Sequence, residues 1–199
     1  MSQKPTNSLG SSNGKVVNFV TTNLHKFEEA KNVLANFDIS IAKLDVEAIE
    51  IQDDQLENIA KYSAIDAVKN CGLPVFVEDS GLFIEALKGF PGPYSKFVFQ
   101  TVGVNGILKL MSGLKNRNAH FKSVICYRAP NQEPTCFMGK VDGKICSELR
   151  GDGGFGYDPI FVPSEGDGRT FAEMSLTEKN LYSHRARALK LFAKWYSSR

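Results

Sequence analysis

Several features that would mark out a function quickly are scarce in this chain. Cysteine accounts for 4 of 199 residues. Cys71, Cys126, Cys136 and Cys146 form neither a Cys-x-x-Cys pair nor a dense framework, so free buried thiols are expected rather than disulfides or a zinc site. There are only 3 histidines, none spaced to make a metal pair, and no Ser or Cys stands in a nucleophile arrangement with a base. Excess charge of one sign is missing too: 24 Lys and Arg against 22 Asp and Glu leave +2, with no basic block or acidic tail. That balance argues against duplex nucleic acid or a membrane surface as a partner, while leaving room for a small charged ligand. No apolar run approaches the roughly 20 residues that span a bilayer. The opening, MSQKPTNSLGSSNGK, lacks the apolar segment of a secretion signal, so a cytoplasmic protein is expected. What is present is 42% hydrophobic and 11% aromatic content, enough to bury a core.

Residues 1–15 are rich in Ser, Asn, Gly and Lys and read as a disordered tail, leaving 16–199 as a single domain. Residues 16–20 form a first strand. Thr21-Thr22-Asn23 then lead into a helix in which Phe27, Ala30, Val33, Leu34 and Phe37 recur at helical spacing. A helix N-terminus leaves backbone N–H groups unpaired, so Thr21 to Asn23 with Lys26 can cradle a phosphate; equally, Thr and Asn serve as ordinary N-caps and Lys26 as a solvated side chain. Residues 39–46 read as a second strand. The next helix places Leu56, Ile59, Ala60, Ser63, Ala64, Ala67 and Val68 on one side, with an Asp to cap its start and Gly72 its end. Lys61 lies beside that small-residue side.

Residues 75–77 read as a short buried strand ending at Glu78-Asp79, after which Ser80-Gly81 turns the chain. Successive strand residues point to opposite faces, so only one of the two carboxylates looks into a given cleft. Open α/β sheets place ligands at the carboxyl ends of strands, and a carboxylate there can hold Mg²⁺ or orient a water; a solvated acidic loop is the plainer reading. Further on, GFPGPYS is a Pro/Gly loop and 96–114 holds two short helices parted near Gly103. Residues 119–128, 135–140 and 144–148 read as antiparallel strands, with an Asp-Gly hairpin turn over 141–144. In RGDGGFGYDP, Phe155 and Tyr157 either stack on a flat ligand or plug a core. A long last helix starts at the capping box Ser175 to Glu178, with Leu181, Ala188, Leu191, Phe192 and Trp195 as its core stripe. His184 falls on that side, flanked by Lys179 and Arg185; a lone histidine there is more often a hydrogen-bonded core residue than a catalyst.

Taken together, TTNLHK, EIQ, VEDSGLFIEAL, GFPGPYSK, GGFGYDPIF, FAEMSLTEKN and SHRARAL resemble the inosine/xanthosine triphosphate pyrophosphatases, enzymes that clear aberrant purine nucleotides. The match runs in order from about Val16 to the C-terminus. The resemblance implies a two-lobed α/β protein, a mixed β-sheet with flanking helices, binding a nucleoside triphosphate in a cleft between the lobes, and a homodimer. It implies hydrolysis of ITP, dITP and XTP to the monophosphate and pyrophosphate with Mg²⁺, Mn²⁺ being the alternative ion. By motif, Asp79 matches the essential carboxylate and, with Glu50, the metal ligands. Thr21, Thr22, Asn23, Lys26, Lys61, Ser80 and Lys96 match positions that hold the triphosphate. Phe155, Gly156, Tyr157 and Asp158, with Lys179, His184 and Arg185, match the base pocket. Phe155 would stack on the purine, and Arg185 and His184 would donate to a 6-keto oxygen, whereas adenine's 6-amino group would set donor against donor.

The chain departs from the family at two places. Thr22 stands where the loop usually has glycine, which bears on backbone approach to the phosphates. Near Glu50 the flanking residues are Ile49 and Asp53, so Glu47 and Asp54 stand beside Glu50 as candidates for the second carboxylate. Two other functions fit the same residues: this chemistry on another modified nucleotide, and a non-catalytic nucleotide-binding protein.

Overall fold

The computed structural model describes residues 15–46, 49 and 51–199. In chain order the strands and α-helices are β1 (Lys15–Val20), α1 (Leu24–Ala35), β2 (Ile39–Leu44), α2 (Leu56–Cys71), β3 (Val75–Ile84), β4 (Pro91–Gly92), α3 (Ser95–Thr101), α4 (Gly103–Leu110), β5 (Asn118–Arg128), β6 (Thr135–Ile145), β7 (Phe161–Pro163), α5 (Leu176–Tyr182) and α6 (His184–Ser197). Of the expected tail, Lys15 belongs to β1, where its Nζ donates to the backbone of Tyr196, Ser197 and Arg199. Residues 1–14, Glu47 and Glu50 lie outside the described residues.

The sheet has seven strands in the order β2-β1-β3-β5-β6-β7, with β4 beside β3. β1 runs parallel to β2 and β3, and the remaining pairs are antiparallel. β3 joins the two kinds of pairing: its first residues pair with β1, and all of it pairs with β5, from Val75↔Arg128 to Ile84↔Ala119. It therefore extends through Ser80-Gly81, where a turn was expected. The glycine has a different job. A Cβ on Gly81 would lie 2.4 Å from the Gly92 carbonyl oxygen, so its absence admits β4 against the strand.

Strand alternation sorts the core. On one face Phe76 stacks on Phe19 at 4.3 Å and tilts against Phe192 at 5.1 Å, joining β1, β3, α1 and α6. Further along that face, Leu82, Ile84, Phe121, Val141 and Phe161 form a second cluster with α3 and α4. On the opposite face α2 covers Val75, Val77, Val124 and Cys126. The α2 stripe is the one expected from periodicity, and Gly72 in the left-handed region ends the helix; Gln55 is its N-cap, with Asp53 Oδ1 accepting from Gln55 N. On the first face Glu78 and Ser80 fall between the two apolar clusters, which act as two lobes with a polar layer at their seam.

Three further expectations change. β6 is continuous through Asp142-Gly143, because Gly143 faces β7 and a Cβ there would lie 2.4 Å from the Val162 carbonyl oxygen; the chain reverses instead over 129–134, with Asn131 at φ 62°. The last helix is two, since Ser183 has ψ 147° and its Oγ caps α6 by accepting from Ala186 N. The break rotates the register, so Leu181 is 63% exposed and Leu191 48%, while Ala186, Ala188, Leu189, Phe192 and Ala193 are buried. Finally, Cys126 and Cys136 are not free thiols: they face each other on one rung of β5 and β6 with Cα atoms 4.1 Å apart and form a disulfide. Cys71 and Cys146 are free.

Candidate active site

The seam between the lobes is filled by charge. Glu29, on the inner side of α1, receives Lys179 Nζ at 2.7 Å and the Arg185 guanidinium. Arg185 continues to Glu78, with Nε 3.1 Å from Oε1, and donates through Nη2 to Ser80 Oγ at 3.1 Å. Glu78 also takes Lys26 Nζ at 2.8 Å and the Ser123 hydroxyl at 2.6 Å. Lys179 reaches on to Asp158, whose carboxylate accepts from Phe155 N at 2.8 Å. Three anions and three cations thus neutralise one another in a buried chain from Lys26 to Asp158. Taking such groups out of water costs several kcal/mol each, repaid only where partners are close and complete.

The protonation states follow. Burial pushes Glu29 and Glu78 up, but Arg185 with Lys179 or Lys26 pulls harder, and both settle below the ordinary glutamate value. At Asp158 burial prevails over Lys179 and the carboxyl is raised. Burial, and then Arg185, hold His184 well below 6.5, so it is a neutral imidazole, stacked at 4.5 Å on Phe121 with Nδ1 buried and without a hydrogen-bond partner. The sign of the pH dependence is fixed by these directions. As pH falls below 6.5 the unfolded chain takes up a proton that buried His184 refuses, and below 4.5 the stabilisation of Glu29 and Glu78 is lost in turn; Asp158 opposes this. Melting followed by circular dichroism should show Tm dropping steadily from neutral pH into that acid range. A flat profile would remove these groups from the stability of the fold.

Phe155 borders this chain of charges. Its half-buried ring stacks on His25 at 5.0 Å and has Lys179 Nζ at 4.8 Å and Arg185 Cζ at 5.4 Å from its centroid. A cleft of about 230 Å³ opens beside it, lined among others by His25, Glu29, Met174 and Lys179. Gly156 adopts φ 63° between Phe155 and Tyr157. The two aromatics divide the two readings of the glycine loop: Tyr157 is core, its hydroxyl donating to Ser95 O, while Phe155 faces the cleft.

The residues expected to hold phosphates are more dispersed. Asn23 caps α1 by accepting from Lys26 N, and Thr21 Oγ1 accepts from Asn23 N. Thr22 is exposed and does not take a positive φ, so the position tolerates a side chain where the family has glycine. Lys26 is not solvated but bound to Glu78. Asp79 projects to the α2 face of β3, away from Glu78, and is half-buried; Lys61 on α2 and Lys96 on α3 are exposed. Alternation had required the two carboxylates to diverge, and it is Glu78 that enters the buried network. Glu29 is the participant that periodicity overlooked. Its place one residue before Ala30 and four before Val33, inside an apolar stripe, was the available signal.

The sequence profile of the Ham1 family matches residues 17–195. The dITP/XTP pyrophosphatase of Methanopyrus kandleri is 52% identical over 180 residues, covering 90% of this chain and 95% of that protein. The dITP/XTP pyrophosphatase of Thermococcus kodakarensis is 54% identical over 177 residues, covering 89% and 95%. The solved structure of a HAM1 protein from Coxiella burnetii superposes with a TM-score of 0.81 at 29% identity, covering 93% of this chain and 100% of that one.

Proposed function

The chain belongs to the Ham1 family, and from that premise we propose that it hydrolyses aberrant purine nucleoside triphosphates, ITP, dITP and XTP, to the monophosphate and pyrophosphate. The observation that carries the reading is the Phe155 platform with Lys179 and Arg185 locked against it by Glu29. A purine stacked there meets donors that cannot rearrange to suit it. Arg185 donates to a 6-keto oxygen, and neutral His184 has a ring nitrogen left to satisfy. Adenine presents an amino group to the same donors and would leave them unpaired, at a cost that separates the two bases strongly. Thr21, Asn23 and Lys26, with Lys61, Ser80 and Lys96, hold the phosphates, and Asp79 orients the water that attacks the α-phosphorus and accepts its proton.

A divalent ion, Mg²⁺ by preference, suits the donors present. Among the described residues no group of three or more His, Cys, Asp or Glu gathers around one point, and Glu78 is already occupied by Lys26 and Arg185. Asp79 lies on the opposite face of β3, and Mg²⁺ characteristically binds through one or two carboxylates together with substrate phosphates and water. Asp79 and Glu50 would hold it, and the ion would neutralise charge developing on the phosphates. We further propose a homodimer acting in the cytoplasm, with neither nucleic acid nor membrane as partner. The exposed Phe90, Tyr94, Phe97, Phe99 and Val102 along one connection support self-association.

The test is incubation with Mg²⁺ and, separately, ITP, XTP, GTP and ATP, with products resolved by phosphorus NMR. Monophosphate and pyrophosphate from ITP and XTP, with ATP intact, is the expected result. Diphosphate and orthophosphate would place attack at the γ-phosphorus and overturn the mechanism. No product at all would leave a binding protein.

A further inference from the structure

The sheet face that carries Asp79 is only partly covered by α2. Beyond Val77 and Val124 it continues as Gly81 and Phe83 on β3, His120 and Lys122 on β5, and Lys140 and Asp142 on β6. Lys122 lies directly opposite Gly81, two residues from Val124, the partner of Asp79. It is therefore the diagonal neighbour of Asp79, within about 8 Å by sheet geometry. Lys122 meets no side chain there, since the Gly92 carbonyl occupies the space over Gly81. Its ammonium sits 5.1 Å over the Phe83 ring, which stacks at 5.1 Å on His120.

Charge on this strip is unevenly paired. Lys122 faces Lys140 across the β5–β6 rung, an arrangement of like charges that destabilises a sheet. Lys140 is relieved by Asp142 at 2.6 Å, whereas Lys122 has no carboxylate partner among the described residues. Burial, then Lys140 and Lys122, depress His120, so it adds no charge of its own. Lys26, in contrast, is already neutralised by Glu78. A triphosphate presented to Asp79 would gain from a further cation on the face that Asp79 itself occupies.

We propose that Lys122, backed by Lys140, is a further binding residue of this site and takes the phosphate chain of the substrate, the part released as pyrophosphate. The inference rests on the pyrophosphatase reading and adds to it a contact on the far side of Asp79 from α2.

Calorimetric titration with inorganic pyrophosphate and Mg²⁺, alongside ITP kinetics, tests it on Lys122→Met and Lys122→Arg. Methionine keeps the apolar stem over Phe83 and removes only the charge. Losing one charge-assisted hydrogen bond should weaken pyrophosphate binding and raise KM for ITP roughly ten- to a hundredfold, with arginine restoring most of it. Tm should stay level or rise, since the opposition with Lys140 is relieved, which a purely structural lysine would not produce. Lys122→Met with wild-type pyrophosphate affinity and KM would overturn the proposal while leaving the enzyme reading intact. Wild-type protein that leaves ITP untouched would sink the enzyme reading instead, and the pyrophosphate titration would still decide whether Lys122 binds phosphate.

Discussion

Asp79→Asn should abolish most ITP turnover, by about 10² to 10⁴ in kcat as for loss of a general base, while the protein folds and binds nucleotide. The expectation separates Asp79 from its neighbour. Glu78 lies in the buried charge chain with Lys26, Arg185 and Ser123, so removing its charge strands two cations and acts first on stability. Asp79 points to the other face and is half-buried, where asparagine matches its shape and preserves the strand. Circular dichroism, Tm and steady-state kinetics on Asp79→Asn and Glu78→Gln should therefore give opposite patterns: activity lost with the fold kept, and stability lost foremost. If Asp79 serves the chemical step, KM for ITP should move far less than kcat. Wild-type turnover in Asp79→Asn would remove it as the base.

Much of this architecture was legible in the sequence where one period dominated. The α2 stripe from Leu56 to Val68 emerged intact because a run of small and aliphatic residues at helical spacing, closed by Gly72, has few other ways to bury itself. What was misread involved residues whose reason lies in another element. Gly81 and Gly143 signal turns when only local chemistry is considered, yet each sits inside a strand because a second backbone passes over it. Ser183 gives no local sign of breaking a helix; the cap it forms for α6 becomes visible only when α5 has left in another direction. Cys126 and Cys136 lie at equal separation on either side of Asn131, the positive-φ residue of the reversal, so pairing was open to inference once the hairpin was centred there instead of on Asp142-Gly143.

The candidate site was legible in its residue types but not in its wiring. Motif resemblance named Lys26, Lys179 and Arg185 as ligand-binding cations. It did not reveal that each is held by an internal carboxylate, because Glu29 and Glu78 come from α1 and β3, distant from α5 and α6 in sequence. Long-range neutralisation of this kind leaves no periodic signature.

Arg185→Met makes that wiring measurable. Methionine retains the length and apolar bulk of the side chain but leaves Glu29 with Lys179 alone and Glu78 with Lys26 alone, in a seam where Arg185 itself is 2% exposed. Breaking one partner out of a buried pair costs about 3–5 kcal/mol, because the surviving charge stays uncompensated. For a domain of this size that corresponds to a fall in Tm of roughly 6 to 20 °C. Both glutamates would also lose the cation that holds their pKa values down, so the stability they forfeit on acidification should shrink and the Tm gap to the wild type should narrow as pH falls below 4.5. Adding Glu29→Gln to Arg185→Met should restore part of the stability, since a neutral amide no longer needs the missing charge, and the double-mutant cycle reads the coupling directly. Selectivity provides the second readout. If Arg185 is the donor that favours a 6-keto base, the ratio of kcat/KM for ITP over ATP should collapse in the single variant and stay collapsed in the stabilised double variant. Recovery of that ratio along with Tm would mean that Arg185 serves the fold alone.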